Sequence, residues 1–454
     1  MFYSNYCCFI IADIDKKLIL LKSKKTFSLP GFKLSNKKKI FFPEYTAYIN
    51  KKIKQEFDVT GILLRHICIY KNVHICEIEI FSKGNSLPSF YEWIKLSDIK
   101  ILDFDNAEYK KILLKWISEI ENKTVPHNRA LWEVRGWYNN TEKWIRDNLQ
   151  KTILNVEQIK GAWSWSSILK INTIKEILYF KADYNKLPHE VDTIRELNKL
   201  YKCNFPSVVI SDYSNNWMIM KDFGDLYLEK LDFNHYVKAV KKYAEIQIKS
   251  VGEIERFKKI NCRYISLNLF TLYLEQLVDD KILLIGPYKL TNYDLERFKK
   301  AIPYLIELCK KLDLGRIPYT INNEDFRDQN VVLYENDFIY FDWSNTTITH
   351  PFFSFTYFLN RINIKKNHIG KEIFKGSIEK ILFKLTEEYL KMWVNFDEYE
   401  NILQIFTEIN SLYNLYQAIR CYIELPYLEK NCPWYIDCRD IVPNYIKKFI
   451  DSQG

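Results

Sequence analysis

The side chains best suited to chemistry stand in one short stretch of this 454-residue chain. Asp325 comes first, Asn330 follows five places later, and Asp342 stands further along the same stretch. An amide oxygen and two carboxylates are hard oxygen ligands of the kind that Mg²⁺ takes, and protein-bound Mg²⁺ is commonly shared with substrate phosphates. These residue types therefore predict phosphate chemistry, provided that the fold brings them together.

A predicted β-hairpin separates Asn330 from Asp342. The runs Val331–Tyr334 and Phe338–Phe341 are β-branched and aromatic, and the residues between them are polar turn formers. If the last residue of the first run faces the first residue of the second, Asn330 faces Asp342. Directly opposed residues have Cβ atoms about 5 Å apart, so this register would bring both side chains to one point, with Asp325 on the preceding loop. The alternative is that these Asn and Asp residues only cap turns.

The spacing resembles a motif of small-molecule kinases. Asp325, Asn330 and the pair Asp342-Trp343 are similar to the H-x-D-x-x-x-x-N … D-W pattern of aminoglycoside phosphotransferase-like and choline-kinase-like enzymes. The resemblance implies that Asp325 is the catalytic base, that Asn330 and Asp342 hold Mg²⁺, and that the phosphate donor is ATP or GTP. The chain departs from the pattern at Asn323, where the family usually has His, and this change lowers the expected efficiency of catalysis.

A lysine and a glutamate upstream match the same family. The apolar strand Glu176–Ala182 carries Lys181 near its end, which is similar to the V-A-I-K lysine that contacts the α- and β-phosphates. A solvated surface lysine is the alternative. Glu190 opens the next predicted helix and matches the helix glutamate that pairs with this lysine in the family, with Glu196 as the less favoured alternative. Such a pair would orient the ammonium group on phosphate oxygens.

Two further segments are predicted to contact the nucleotide. The turn that includes Ser166 and Ser167 lies where a phosphate-covering loop would be, although it has one Gly where G-x-G-x-x-G has three, and an ordinary hairpin turn explains it equally well. Met218 and Met220 would form the hinge beside the adenine. A D-F-G sequence starts at Asp222, but it precedes the catalytic loop, whereas the metal Asp must follow it. We therefore expect Asp222 to form a turn.

The pattern becomes helical after Phe233. Apolar residues recur at intervals of three and four in four stretches, which are Tyr236–Lys249, Leu267–Val278, Asn292–Leu312 and Glu372–Trp393. They predict a helical large lobe. Thr349–Phe353 resembles the segment that starts a helix after the metal Asp in the family, and we expect its His350 to be a structural hydrogen-bonding residue.

A separate domain is predicted for residues 1–120. Its short strands, its Pro-Gly turn and the amphipathic helix Glu44–Phe57 resemble a Nudix domain, an α/β/α sandwich. A Nudix box needs several glutamates on one helix face to hold Mg²⁺ against a diphosphate. Here only Glu56 keeps its residue, and Lys52 replaces a glutamate. We therefore expect this domain to lack pyrophosphatase activity and to serve packing or ligand binding.

The predicted organisation has four parts. The Nudix-like domain, residues 1–120, is followed by a Trp-rich linker over 121–150, in which Trp132, Trp137 and Trp144 stand among polar residues. A kinase-like N-lobe covers 151–223, and a helical C-lobe with the catalytic loop covers 224–454. The predicted fold class is therefore α+β, a Nudix-like sandwich followed by a two-lobed, protein-kinase-like fold.

Composition narrows the class of protein further. The chain is 47% hydrophobic and 16% aromatic, which excludes a disordered or collagen-like protein. The net charge of +9 accompanies heavy use of Lys, Ile, Asn and Tyr together, so we expect no nucleic-acid partner. The ten cysteines are scattered without C-x-x-C pairs and predict reduced thiols. No signal peptide and no apolar run of roughly 20 residues is evident, which predicts a cytoplasmic protein without a membrane partner.

Three functions follow in order of preference. The first is transfer of the γ-phosphate of ATP, or GTP, to a hydroxyl of a small molecule with the help of Mg²⁺. The second is a pseudokinase-like regulatory protein that binds a nucleotide or another ligand. The third is a Nudix-type nucleotide pyrophosphatase. The sequence does not identify the acceptor. An aminoglycoside is a polycation and would need a cluster of carboxylates. Asp397-Glu398-Tyr399-Glu400 offers such a cluster, although runs of this kind are usually solvated helix surface.

Overall fold

The protein is described from a computed structural model, in which two compact units are present. The first comprises Met1–Tyr184 with Tyr427–Ile436, and the second comprises Asn185–Pro426 with Asp437–Gly454. The boundaries of these units differ from those of the predicted domains. The domain boundaries therefore stay a prediction. The structure describes residues 6–13, 17–23, 25–34, 45–161, 165–184, 190–201, 204–364, 377–430 and 433–453.

The first unit opens with a seven-stranded sheet between two helices. Strands β2 and β6 flank the central β1, to which β6 runs parallel, and the order is β3-β2-β1-β6-β5, with β4 paired to β1 and β7 to β2. The elements are β1 (Tyr6–Ala12), β2 (Lys17–Ser23), β3 (Thr26–Ser28), β4 (Gly31–Lys33), α1 (Thr46–Phe57), β5 (Val59–Tyr70), β6 (Val73–Lys83), β7 (Tyr91–Lys95) and α2 (Ala107–Glu121).

The alternation of side chains along β1 explains why a helix packs on each face of the sheet. Successive side chains of a strand point to opposite faces of the sheet. Phe9 packs in one core with Ile53 of α1, whereas the next residue, Ile10, packs in a second core with Trp116 of α2. The described part of this region is thus a helix, sheet and helix sandwich, as the fold-class prediction required, while its identity as a Nudix-like domain stays a prediction.

The sandwich continues directly into a second set of strands. These are β8 (Ile153–Lys160), β9 (Ser166–Thr173) and β10 (Ile177–Asp183), paired antiparallel and preceded by α3 (Trp137–Asn148). The Gln158 amide of β8 donates to the Leu63 carbonyl at 3.0 Å and accepts from the Asn50 amide at 2.8 Å. The Asn50 side chain in turn accepts from the Leu63 N–H at 2.6 Å. Three buried or half-buried polar groups therefore join α1 and β5 to β8 inside one unit.

A charged cavity of about 460 Å³ lies in the first unit, between β5 and α2. Arg65 pairs with Glu77 at 2.5 Å and with Glu119 at 2.9 Å, and Arg129 pairs with Glu119 and with Glu429. The residues that line it are Arg65, His66, Ile67, Cys68, Glu108, Lys111, Ile112, Lys115, Trp116, Glu119, Pro126, Arg129, Glu133 and Glu429. Its arginines are already matched by carboxylates.

Glu133→Gln is expected to stabilise the protein at alkaline pH. Burial, with a contribution from the Glu429 charge, raises the pKa of the Glu133 carboxyl from 4.5 to about 8, even though Arg65 and Arg129 act in the opposite direction. A raised native pKa gives stability that is complete below the unfolded pKa and is lost as the pH rises through the native one. Over this pH window the free energy of unfolding should change on the order of a few kcal/mol. Melting curves between about pH 5 and 9 should fall less steeply for Glu133→Gln than for wild type, while exposed Glu121→Gln should match wild type. Parallel curves for all three proteins would contradict the prediction.

The second unit contains the remaining strands and most of the helices. Its sheet pairs β14 with β17 antiparallel and β17 with β13 parallel, and β15 and β16 form a separate hairpin. The elements are α4 (Glu190–Leu200), β11 (Val208–Asp212), β12 (Trp217–Lys221), α5 (Phe233–Ser250), α6 (Ile254–Lys259), β13 (Arg263–Tyr264), α7 (Leu267–Asp279), α8 (Lys281–Leu284), α9 (Asn292–Asp313), β14 (Thr320–Asn323), β15 (Val331–Tyr334), β16 (Asp337–Tyr340), β17 (Thr346–Thr349), α10 (Phe352–Ile364), α11 (Ile378–Leu390), α12 (Tyr399–Ser411) and α13 (Tyr413–Glu424). Helix α14 (Pro433–Ser452) has its residues 433–436 in the first unit and the rest in the second.

Helices α5, α7, α9 and α11 coincide with the four stretches predicted from apolar periodicity. Residues 372–376 of the last stretch lie outside the described residues. Helix α9 also has a full N-terminal capping box, in which Thr291 and Asp294 satisfy each other's backbone N–H groups. The apolar faces of these helices thus predicted both their existence and their approximate ends.

Across the segments that the structure describes, no helix has both the length and the apolar character needed to cross a membrane. The cysteines of these segments are free thiols, and they are Cys7, Cys8, Cys68, Cys76, Cys262, Cys309, Cys421 and Cys438.

Candidate active site

The hairpin β15–β16 has a different register from the predicted one. Tyr334 pairs with Asp337, not with Phe338, because the turn consists of Glu335 and Asn336 alone. Both turn residues have positive φ, 47° and 68°, which is the geometry of a two-residue type I′ turn. The predicted opposition of Asn330 and Asp342 was therefore wrong by one residue.

The backbone still brings Asn330 close to the start of the Asp342 segment. The N–H of Phe341 donates to the Asn330 carbonyl at 3.1 Å. Asp342 then leaves the hairpin with a φ of +60°, in the left-handed region that Asp and Asn tolerate best after Gly. The Ser344 hydroxyl donates to the Asp342 carboxylate at 3.1 Å. The change in backbone direction at Asp342, rather than direct cross-strand pairing, determines where its carboxylate lies.

The Asp325 carboxylate receives three polar contacts. The Tyr357 hydroxyl donates to Oδ1 at 2.8 Å, and the Asn330 amide donates to Oδ2 at 2.9 Å. The Arg327 guanidinium lies 3.2 Å from Oδ2. The same Asn330 amide also donates to the Asp325 carbonyl at 2.9 Å. Asp325 and Asn330, predicted from spacing to act together, are thus in direct contact.

Asn323 connects the Asp325 loop to the hairpin. Its side-chain oxygen accepts from the Asp325 N–H at 2.9 Å, and its side-chain nitrogen donates to the Phe341 carbonyl at 3.2 Å. Its own N–H donates to the Tyr243 hydroxyl at 3.0 Å. Asn323 is 2% exposed, so water does not replace these bonds. The residue that departs from the family motif therefore positions both Asp325 and the segment before Asp342.

Asn323→Ala is expected to destabilise the protein. The substitution leaves the half-buried Asp325 N–H and the half-buried Phe341 carbonyl without their partner, and together these losses should cost about 1–3 kcal/mol. The midpoint of denaturant unfolding should fall accordingly. Asn410→Ala, at an exposed position of α12, is the matched control and should unfold like wild type. Equal midpoints for Asn323→Ala and Asn410→Ala would show that these bonds do not hold the loop.

The donor atoms fit Mg²⁺ better than a metal held by protein alone. Because the Asn330 amide nitrogen is used on Asp325, its amide oxygen is left as an acceptor beside the Asp342 segment. The described segments contain no group of three or more His, Cys, Asp or Glu residues arranged to hold a metal ion. One amide oxygen and one carboxylate suit an ion that keeps several waters and is completed by substrate phosphates, as Mg²⁺ is.

Glu190, at the start of α4, contacts the segment that follows Asp342. Its carboxylate accepts from the Trp343 N–H at 2.7 Å, and Glu190 is 1% exposed. Lys181 belongs to the first unit, where its ammonium lies 3.6 Å from the Asp183 carboxylate two residues along β10. The predicted pairing of Lys181 with Glu190 stays a prediction.

Ser166 and Ser167 were predicted in a turn, and the structure corrects this placement. Both lie at the start of β9 and are buried, opposite Asp183 and Ala182 of β10. The Ser167 hydroxyl donates to the Lys160 carbonyl at 3.1 Å. The strand begins earlier than the apolar run suggested, because Ser residues with satisfied hydroxyls fit within a sheet. Residues 162–164 of the predicted phosphate turn lie outside the described residues.

Met218 and Met220 are buried residues of β12, paired with β11. They belong to the strand, and their predicted role beside adenine is untested. Asp222 directly follows this strand, and its carboxylate accepts from the Gly224 N–H at 2.9 Å. Asp222 therefore forms a turn, as predicted.

His350 lies in the interior of the second unit. The Phe352 N–H donates to its Nδ1 at 3.4 Å, and its ring meets the Phe352 ring edge-on at 4.9 Å. Burial lowers the pKa of His350 to about 3, so the ring is neutral at physiological pH. These contacts agree with a structural role.

Two residues of the site escaped prediction. Tyr357 lies on α10, which reads as an apolar helix, and nothing in the local sequence indicates that its hydroxyl reaches Asp325. Arg327 stands two places after Asp325, so its position inside the motif was a usable signal. A positive charge so close to the proposed base suggests a role in charge stabilisation.

Comparisons with known proteins give structural neighbours only. No protein-family model matches the sequence, and a search of curated proteins found no significant match. Ethanolamine kinase from Plasmodium vivax is 10% identical, with 78% of this chain and 92% of that chain covered and a TM-score of 0.44. An aminoglycoside 2′-phosphotransferase-IIIa variant solved with GDP is 12% identical, with 70% and 99% covered and a TM-score of 0.48. Choline kinase from Streptococcus pneumoniae is 13% identical, with 69% and 99% covered and a TM-score of 0.42.

These neighbours belong to the class of small-molecule kinases that the motif resembles. Identities near 10% and TM-scores below 0.5 do not assign a substrate or an activity. The function is therefore inferred from the contacts of the site.

Proposed function

We propose that the protein is a phosphotransferase that moves the γ-phosphate of ATP, or GTP, to a hydroxyl group of a small molecule. The observation that carries this proposal is the arrangement of Asp325. Its carboxylate is oriented by Tyr357 and Asn330, and Asn323 fixes its loop to Phe341, the residue before Asp342. Positioning and charge stabilisation account for nearly all of the catalysis in phosphoryl transfer, and the site offers both.

Each residue has a chemical task in this proposal. Asp325 would accept the proton of the acceptor hydroxyl, and Arg327 would stabilise the negative charge of the phosphoryl group in transfer. Asn330 and Asp342 would hold Mg²⁺, which when bound neutralises charge on the β- and γ-phosphates.

The remaining nucleotide contacts are proposed from the motif. Lys181 would contact the α- and β-phosphates, with Glu190 orienting it, and Met218 and Met220 would pack beside the adenine. Ser166 and Ser167 support the proposal least, because the Ser167 hydroxyl already donates to a carbonyl within the sheet.

A second candidate is a nucleotide-binding protein without transferase activity. Both carboxylate oxygens of Asp325 are engaged, one of them with a guanidinium at 3.2 Å. An acceptor hydroxyl would have to displace one of these partners before it could donate to the carboxylate. This observation favours a pseudokinase-like regulator more than the replacement of His by Asn323 does.

Nudix-type hydrolysis is the third candidate, and the contacts of α1 disfavour it. The Lys52 ammonium lies 3.2 Å from the Glu56 carboxylate and 4.5 Å from the centre of the Phe32 ring. The one retained glutamate of the Nudix-like pattern therefore already has a cationic partner. We propose that residues 1–120 form a Nudix-like packing or ligand-binding domain.

Turnover on a panel of acceptors tests the proposal. Full-length protein with Mg²⁺ and ATP or GTP is incubated with hydroxylated metabolites and antibiotics, and nucleoside diphosphate release is compared with and without acceptor. Acceptor-dependent release supports transferase activity. Nucleotide binding without transfer to any acceptor favours the regulator, and phosphate release from nucleoside diphosphate derivatives alone favours the Nudix-type activity.

A further inference from the structure

Arg361 is a half-buried cation with no ion-pair partner among the residues that the structure describes. It lies on α10, one helical turn after Tyr357, so both side chains share a face of the helix. Its Nε is buried without a hydrogen-bond partner, and no carboxylate of the described segments forms an ion pair with it. A buried polar nitrogen that lacks a hydrogen bond is costly. A ligand group that accepts from this guanidinium would supply the missing partner.

A second arginine approaches Tyr357 from α13. The Arg420 guanidinium lies 5.7 Å from the centre of the Tyr357 ring. Arg420 donates to the Glu324 carbonyl at 3.1 Å and to the Gln417 amide oxygen at 2.9 Å. Its Nε lies 3.4 Å from the Glu324 carboxylate, which also accepts from two hydroxyl groups. The Glu324 carboxylate in ion-pair contact with Arg420 is therefore shared.

Three tyrosines complete the cluster. Tyr357, Tyr413 and Tyr445 are half-buried or buried, and burial raises the pKa of each. They therefore stay neutral hydroxyl donors. Arg361 and Arg420 act electrostatically on all three, which places both cations in one neighbourhood with the Asp325 contact residue. Carboxylates act there as well: Asp325 on Tyr357, and Glu324 and Glu424 on Arg420.

We infer that the hydroxyl acceptor is an anion, a small hydroxylated compound whose carboxylate or phosphate group binds Arg361 beside Tyr357. This inference rests on the proposed function. Of the charges next to Tyr357, Asp325 is matched by Arg327 at 3.2 Å, and Arg420 is matched in part by Glu324. Arg361 is left unmatched. A guanidinium binds carboxylate and phosphate groups through paired hydrogen bonds, and the tyrosine hydroxyls supply further donors.

The alternative, a polycationic acceptor, loses its main support in the structure. The acidic run that begins at Asp397 was the predicted attraction for an aminoglycoside. The Asp397 carboxylate accepts from the Glu398 N–H at 2.8 Å and from the Asn401 amide at 3.0 Å, and Arg316 lies 3.5 Å from it. It is therefore used at the start of α12.

A matched set of glucose derivatives tests the charge preference by binding alone. Glucose, glucosamine, gluconate and glucose 6-phosphate share one skeleton and differ in charge. Calorimetric titration at low salt should show binding of gluconate or of glucose 6-phosphate. Binding of gluconate would indicate a carboxylate site, and binding of glucose 6-phosphate would indicate a phosphate site. Tighter binding of glucosamine or glucose than of both anions would overturn the inference.

Arg361→Gln should weaken the binding of the anion on the order of tenfold or more, because a charged hydrogen bond is lost. Arg316→Gln, at a 74% exposed side chain, removes the same charge and should bind like wild type. Arg361→Gln should also melt no lower than wild type, because no protein partner is lost. Unchanged anion affinity in Arg361→Gln, or a clearly lower melting temperature, would assign the arginine a structural role and overturn the inference.

Transfer assays separate this inference from the proposed function. If the anion binds through Arg361 but receives no phosphate, and no other acceptor does, the anion site stands and the transferase proposal fails. If phosphate is transferred only to neutral or cationic acceptors, the transferase proposal stands and the anionic acceptor is overturned. If the anion is phosphorylated, Arg361→Gln should raise the KM for the anion while the KM for the nucleotide stays the same.

Discussion

Asp325→Asn is expected to reduce phosphate transfer by about 10²–10⁴-fold, the usual contribution of a general base, and to leave nucleotide binding largely intact. The amide has the shape of the carboxylate and can still accept from Tyr357, but it cannot take the proton of an acceptor hydroxyl. Nucleotide affinity should be retained because the contacts of Asp325 are with Tyr357, Asn330 and Arg327. Asp325→Ala should abolish transfer. Single-turnover transfer and nucleotide titration measure the two effects separately.

The control for this experiment is Asp279→Asn, which changes the same type of side chain at an exposed position at the end of α7, in the same unit. It should transfer phosphate like wild type. Full residual transfer in Asp325→Asn would exclude the base assignment. A parallel loss of transfer and of nucleotide binding would show instead that the loop holding Asp325 has collapsed, and melting curves of both variants identify that case.

The hairpin shows how far local sequence determines structure here. Its strands were predictable, because β-branched and aromatic runs flank a polar turn. Its register was not, because a two-residue type I′ turn needs two positive φ values and is signalled best by Asn-Gly or Gly-Gly. Here the first position is Glu335, a residue without that preference. Strand pairing and packing impose the turn, and a slip of one residue changes every cross-strand neighbour.

Contacts between distant segments explain the other omissions. The Tyr357 hydroxyl reaches Asp325 from α10, and Arg420 reaches the same ring from α13. Periodicity predicted apolar helices in the second unit but not which polar residue of a helix faces which loop. Arg361 was missed for the same reason: no carboxylate of the described residues forms an ion pair with it, and that property exists only in the folded chain.

The contacts of Asn323 show what an asparagine does at the position where the chain departs from the H-x-D pattern. In this structure the residue two places before Asp325 has a task that an amide performs well, since it donates to one segment and accepts from another. Neither bond needs a charge or a titrating ring. An asparagine in place of His is therefore compatible with the observed contacts of Asp325, and the choice between an enzyme and a regulator is tested at the residues proposed to hold Mg²⁺.

Asp342→Asn is expected to remove the Mg²⁺-dependent part of the thermal stabilisation by ATP. Asn is chosen because it tolerates the φ of +60° at this position, so the loss would reflect charge rather than strain. Ligand stabilisation grows as the logarithm of ligand concentration over Kd, so a weaker metal complex lowers the melting shift directly. Asp222→Asn, in the D-F-G turn that accepts from Gly224, is the matched control and should keep the full shift. A shift that persists in Asp342→Asn and disappears in Asp222→Asn would transfer the metal site to the D-F-G turn.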